Sequence, residues 1–213
     1  MARGAGSVAG VRIDFHFDPT CPWCWITSRW LVDVRTRRDL DIRWRPFSLK
    51  IKNEGRETPE RFRAAEDLGL GSLRVTVALD EAHGAEAVGA LYTELGRRIH
   101  HDGQADVDLG GALAAAGLDP ALASTAGDET LDGAIRGSMK AVLEITGDDV
   151  GVPIVEFDSP RGRRAFFGPI VSPAPVGTEA DALFDHVIGL ASIDSFFELK
   201  RSRSGSPQLG SRP

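Results

Sequence analysis

The sequence predicts an α/β fold in which a strand-helix-strand unit and a later strand-strand-helix unit are separated by a large all-helical block. Three observations carry this. Val11 to Phe17, "VRIDFHF", is rich in β-forming residues and leads within a few positions into a stretch with helical periodicity. From Thr58 to Gly147 no convincing strand pattern occurs. Strand character returns at Val150 to Phe157, "VGVPIVEF", before a turn and a second extended run.

Each element has a local reason. After the first strand, Ile26, Trp30 and Val34 recur at helical spacing between Trp23 and about Arg37. Leu40 to Leu49 reads as a second strand, bent at Pro46. Strand, helix and strand in about 40 residues suggest a βαβ unit with a parallel pair. In the block, Thr58-Pro59-Glu60 is a helix start with the threonine as N-cap. Val75, Leu79, Leu91, Leu95 and Ile99 extend a helical pattern that Gly84 and Gly89 weaken, and Asp106 and Asp119-Pro120 are further starts. Leu131, Ile135, Met139, Val142 and Ile145 give one more helix, with Gly147 as its C-cap. "DSPRGR" joins the later strands as a hairpin, a helix runs from Thr178 to about Leu190, and Ser192 to Lys200 reads as a last short helix. Without the block, the order β-α-β, β-β-α is that of the thioredoxin-like fold, and an insertion between its halves adds little loop-closure entropy. The expected organisation is a flexible lead-in at 1–10, a thioredoxin-like domain at 11–57 and 148–200, a helical insertion at 58–147 and a disordered tail at 201–213.

Composition excludes some function classes. The chain has 213 residues, 42% hydrophobic and 26% charged, enough to bury a core without staples. A net charge of −6 argues against general nucleic-acid binding, which wants a basic face. No run approaches the ~18 apolar residues of a membrane span. The first ten residues, "MARGAGSVAG", lack the apolar core of an export signal, so a cytoplasmic location is expected, where structural disulfides are rare.

Both cysteines, Cys21 and Cys24, lie in "FHFDPTCPWCWITSRWL". A structural zinc site usually needs four ligands, often in two pairs; there is no second cysteine pair, and the adjacent His100 and His101 would point in different directions from a helix. No metal is expected. A disulfide across two residues closes a tiny loop and gains little. A redox role fits the placement. Cys21 at a helix N-terminus meets unpaired N–H groups and the positive dipole end, which favour thiolate. Pro22 presets the first turn. Cys24, one turn on and more enclosed, would resolve the mixed disulfide that Cys21 forms. No G-x-G-x-x-G follows a strand, and no flavin is expected.

"FDPTCPWCW" followed by "VGVPIVEF" resembles the DsbA-like branch of the thioredoxin-fold superfamily. "HFDPTCPWCWITSRW", "EAHGAEAVGALYTELGRRIH", "GDDVGVP", "FFGP" and "FFELKR", spread along the chain, are similar to segments of the mycothiol-dependent nitroreductases. The resemblance implies a cytosolic thiol-disulfide oxidoreductase that takes electrons from mycothiol, a low-molecular-weight thiol, and reduces disulfide or nitro-aromatic substrates. It implies that Pro153 is cis and faces the cysteines, that the Val152 backbone pairs with substrate as an added strand, and that Asn53 and Phe62 border the site. On residues alone, Val152-Pro153 reads as a strand start with an ordinary trans proline. His16 departs from the tryptophan of that family.

Other candidates stay open between two roles. Asp14, on the first strand, could take the proton from Cys24 if burial raises its pKa, or could pair with Arg12 or Arg43. Trp23 could stack a flat substrate or pack against the helical block. His100 could line the cleft or favour a helix C-terminus. Trp25, Trp30 and Trp44 read as core. With no cation between the cysteines, the pair should be a weaker oxidant than DsbA. A redox-sensing or client-binding module without turnover, or a thiol-cofactor-dependent isomerase or transferase of the same fold, are the alternatives. A monomer or homodimer is expected, with no nucleic-acid or membrane partner.

Overall fold

A computed structural model describes residues 10–203 and 205–213. The expected lead-in at 1–10 lies, apart from Gly10, outside the described residues. Four strands form one mixed sheet: β1 (Val11–Phe17), β2 (Leu40–Pro46), β3 (Ile154–Ser159) and β4 (Gly162–Phe167), in the order β2-β1-β3-β4. β1 and β2 are parallel and joined by helix α1 (Pro22–Arg35), while β1–β3 and β3–β4 are antiparallel. Phe15 and Phe17 turn to one side, where Phe15 meets the edge of Trp44 at 5.6 Å between ring centres. Asp14 and His16 turn to the other, as the two-residue period of a strand demands.

β2 stops at Pro46, earlier than the Leu49 expected. Pro46 has no N–H for a ladder, and Ser48 then caps a one-turn helix, α2 (Leu49–Lys52), through its hydroxyl and the Ile51 N–H. The helical block follows, with no strand between β2 and β3 among the described residues. α3 (Glu60–His83) starts after Pro59 as N-cap, one residue past the expected Thr58, whose hydroxyl instead contacts Glu66 at 3.4 Å. Gly84, at φ 77°, separates α3 from α4 (Ala85–Gly96), and a π-helical turn (Arg97–His101) continues α4. α5 (Leu109–Ala115) is capped by Asp108, not the expected Asp106, with its carboxylate accepting the Gly111 N–H at 3.0 Å. Asp119 caps a 3₁₀ segment (Pro120–Gly127), and α6 (Asp132–Thr146) ends at Gly147 with φ 85°.

Trp25, Trp30 and Trp44 are buried in one core with Tyr92 of α4. α7 (Gly177–Ala191) covers α1: its Ala180 carbonyl accepts the Trp30 indole N–H at 2.9 Å. The expected helix at Ser192 to Lys200 is absent. Phe196 stacks on Phe166 of β4, and Asp194 pairs with Arg161 and Arg164, so contacts to the hairpin override a weak helical pattern. In the tail expected at 201–213, helix and strand are absent among the described residues, but the tail makes defined contacts. Gln208 donates its N–H to Ser172, and Arg212 pairs with Asp102. No helix of the described residues is long and apolar enough to cross a membrane.

Candidate active site

Cys21 is the N-cap of α1, with extended φ/ψ and no side-chain capping bond, and Pro22 opens the helix. Cys24 is the third residue of the helix, about one turn on from Cys21. Both are free thiols. Cys24 is sealed, whereas Cys21 keeps 7% exposure, a small window for a reacting sulfur. The Val152-Pro153 bond is cis, and the Val152 carbonyl oxygen lies 3.9 Å from Cys21 Sγ, so the loop before β3 faces the attacking sulfur.

The two acidities are driven apart. The Cys24 thiol donates to the Cys21 sulfur, and the N–H groups of Cys24 and Trp23 also point at it; together they hold Cys21 below the ordinary thiol range, against burial and the charge of Asp18. Burial pushes Cys24 well above that range, and negative charge on Cys21 adds to it. One thiol is poised to ionise and its neighbour holds its proton, as attacking and resolving roles require.

The carboxylate beside the pair is Asp18, which the sequence reading missed. It is fully buried, and its charge acts on both sulfurs. It accepts the N–H and hydroxyl of Thr20 and the N–H of Leu49, at 2.7–2.9 Å, tying the β1–α1 loop to α2. α3 passes so close that a Cβ on Gly69 would lie 2.8 Å from its oxygen. Burial raises its pKa despite those bonds. Its Asp-Pro-Thr setting, an Asx-type turn, is the signal in the sequence. Asp14 is brought instead to Arg12, Arg45 and Arg163. Its burial works against ionisation, but the guanidinium groups of Arg12 and Arg45 prevail and hold its carboxyl below the usual range.

The remaining candidates divide. Trp23 is half-buried, packs against the core and carries the Arg203 guanidinium 4.9 Å over its ring. His100 reaches the site's edge: its Nε2 donates to the Pro19 carbonyl oxygen at 2.9 Å, and its ring stacks on Trp25. Burial lowers its pKa to about 4. Asn53 ends α2 and donates to Glu66, whose charge in turn bears on Asp18, so it is linked to the pair through that carboxylate. Phe62 is exposed on the first turn of α3, under Arg61. His16 is buried with Nε2 2.9 Å from Glu156, on the sheet face of Asp14. Among the described residues no group of three or more His, Cys, Asp or Glu is arranged to hold a metal ion. Two surface hollows, of about 320 and 180 Å³, lie along α4 and between β2 and α3; neither is lined by a cysteine.

Residues 20–201 match the Rv2466c-like family, described as mycothiol-dependent nitroreductase Rv2466c. A Mycobacterium tuberculosis protein, Rv2286c, is 30% identical in an alignment of 206 residues that covers 90% of this chain and 82% of its own. Among solved structures, the cytosolic disulfide reductase DsbM of Pseudomonas aeruginosa gives a TM-score of 0.57 at 16% identity over 84% of this chain and 100% of its own. The oxidoreductase DsbA of Xylella fastidiosa gives 0.55, also at 16% identity, over 87% and 88%. At such identities these two show the shared thioredoxin-like fold with its helical insertion.

Proposed function

From the premise that this chain belongs to the Rv2466c-like family of thiol oxidoreductases, we propose that it is a mycothiol-dependent reductase acting in a reducing, cytosolic setting on disulfides and nitro-aromatic compounds. The observation that supports the thiol chemistry most is the placement of the pair: Cys21, slightly exposed, is the N-cap of α1 beside the Val152 carbonyl oxygen, and Cys24 is sealed one turn on.

The proposed cycle balances. The Cys21 thiolate attacks a disulfide sulfur, forming a mixed disulfide and expelling one thiolate. Cys24 then gives up its proton and attacks Cys21 Sγ, expelling the second thiolate and closing the Cys21–Cys24 disulfide. Two electrons leave the protein. Two mycothiol molecules return them in the same way and leave as mycothiol disulfide. A nitro group taken to nitroso consumes the same two electrons with two protons and releases water. We assign the proton-accepting role to Asp18, in place of Asp14, because its charge already bears on both sulfurs. The Val152 backbone beside Cys21 would hold an extended substrate segment.

Electron-donor profiling tests the proposal: nitro-arene and disulfide reduction followed with mycothiol, glutathione and a thioredoxin system as donors. Turnover is expected with mycothiol, is lost in Cys21→Ser, and gives way to a trapped mixed disulfide in Cys24→Ser. Turnover with another donor alone would remove the mycothiol assignment, and none with any donor would favour a redox sensor.

A further inference from the structure

The last part of the chain runs back over the thiol site. Its far end is fixed at two points. Arg212 makes paired bonds to Asp102 at 2.9 and 3.0 Å, and the Pro213 carbonyl oxygen accepts from Arg97 Nε at 2.6 Å. Arg97 and Asp102 bracket the π-helical turn whose two histidines contact Trp25, the residue after Cys24. In between, Leu209 packs against the core and Gln208 donates to Ser172. At its near end Arg203 lies on Trp23, the residue between Pro22 and Cys24. Among the described residues Arg203 has no carboxylate partner within 4.0 Å. A guanidinium stacked on an indole keeps its N–H edges directed outward in its own plane, so it can be held by the ring and still take a planar oxygen pair.

The net charge of −6 gives this arrangement a consequence. An anionic substrate approaches against the field of the whole chain, and a cation carried on the ring of Trp23, between the two cysteines in sequence, offsets that field locally. We propose that Arg203 is a substrate-selecting residue, which favours aromatic disulfides and nitro-arenes bearing a carboxylate near the reacting group. Arg203, carried on the Trp23 ring, receives the carboxylate through its outward N–H edge. This deepens the thiol chemistry proposed above and rests on it.

Two chromogenic disulfides separate the two ideas without any mycothiol. 5,5′-Dithiobis(2-nitrobenzoate) carries a carboxylate and a nitro group on each ring, while 4,4′-dithiodipyridine has two aromatic rings that are uncharged at neutral pH. Each accepts two electrons from the reduced Cys21–Cys24 pair and releases two chromophoric thiols. Single-turnover rate constants are measured for the wild type, Arg203→Ala and Arg203→Lys. In Arg203→Ala the rate for the carboxylated disulfide, relative to the neutral one, should fall about fivefold, the size of a lost exposed ion pair. Arg203→Lys, which keeps charge and loses the planar fork, should fall between. An unchanged ratio in Arg203→Ala, or both rates moving equally, overturns the selection proposal. A wild type that releases no chromophore from either disulfide would instead overturn the thiol reading beneath it.

Discussion

Asp14 and Asp18 sit four residues apart and both are buried, yet their surroundings push them in opposite directions. Asp14 is surrounded by three guanidinium groups and stays ionised. Its lowered pKa contributes stability that is full above the unfolded value near 4 and is lost as pH falls through the folded one. Asp14→Asn should therefore cost about 3 kcal/mol in urea denaturation at pH 7. The alkylation profile of Cys21 should not move, because Asp14 contacts neither thiol. Asp18 is buried near the thiols, and its negative charge raises the Cys21 pKa. Asp18→Asn should thus shift the alkylation midpoint of Cys21 further down and slow the Cys24 resolution step in single turnover. A midpoint that rises would show that Asp18 acts on Cys21 only through loop geometry. Read from the sequence, the carboxylate beside the pair is Asp14, and Asp18 is passed over. A strand aspartate looks costly and a turn aspartate looks ordinary. The contacts that reverse this, Arg163 from the hairpin and Leu49 from the start of α2, come from distant parts of the chain.

At the level of elements, β1, α1, the β3–β4 hairpin and α7 were legible because their periodicity and boundary residues agree with the packing. The misread pieces are those in which tertiary contacts override local pattern: α2, a single turn between two packed loops, and Ser192 to Lys200, pinned to β4 through Phe196 and Asp194. The π-helical turn at Arg97–His101 was also invisible. Neighbouring side chains on an α-helix diverge, but this wider turn lets His100 stack on Trp25 while His101 Nε2 accepts the Trp25 indole N–H at 3.0 Å. Burial disfavours the charged form of His100, and as a neutral ring it carries its proton on Nε2 to donate to the Pro19 carbonyl oxygen. Its pKa of about 4 lies below the ordinary 6.5, so the unfolded chain binds the proton first. Stability from this site is full above pH 6.5 and declines as pH falls toward 4, by roughly 3 kcal/mol at most. Urea midpoints at pH 7 and pH 5 should therefore differ less in His100→Gln than in the wild type. An equal difference in both would assign the pH dependence elsewhere.

Across the whole molecule, the question is whether the helical block is a separable insertion, as its position between two halves of a sheet suggests, or one body with the sheet. The contacts favour one body. Tyr92 of α4 lies tilted against Phe17 of β1, 4.1 Å between ring centres, and meets the edge of Trp44 of β2, and both pairs are buried. Two glycines set the spacing. A Cβ on Gly89 would lie 2.7 Å from Trp44 Nε1, and one on Gly96 would lie 2.1 Å from the Trp25 ring. No real Cβ contact is so short, so α4 approaches the sheet and α1 only because these positions lack a side chain. The block thus supplies Tyr92, the aromatic ring at which Phe17, Trp25 and Trp44 meet, and the helices of the block and the sheet bury their apolar faces against each other. Three of the four tryptophans, Trp25, Trp30 and Trp44, lie in that shared core, so their fluorescence reports on the joint between the parts. Fluorescence and far-ultraviolet dichroism should therefore give coincident urea transitions, as a single cooperative unit requires. Gly96→Ala, which forces Trp25 aside, should lower the common midpoint by the equivalent of about 1–3 kcal/mol without splitting the curves. It should also change the alkylation rate of Cys21, since Trp25 follows Cys24 directly. A fluorescence transition that precedes loss of helix would mean that the block folds independently, and Gly96→Ala would then leave Cys21 untouched.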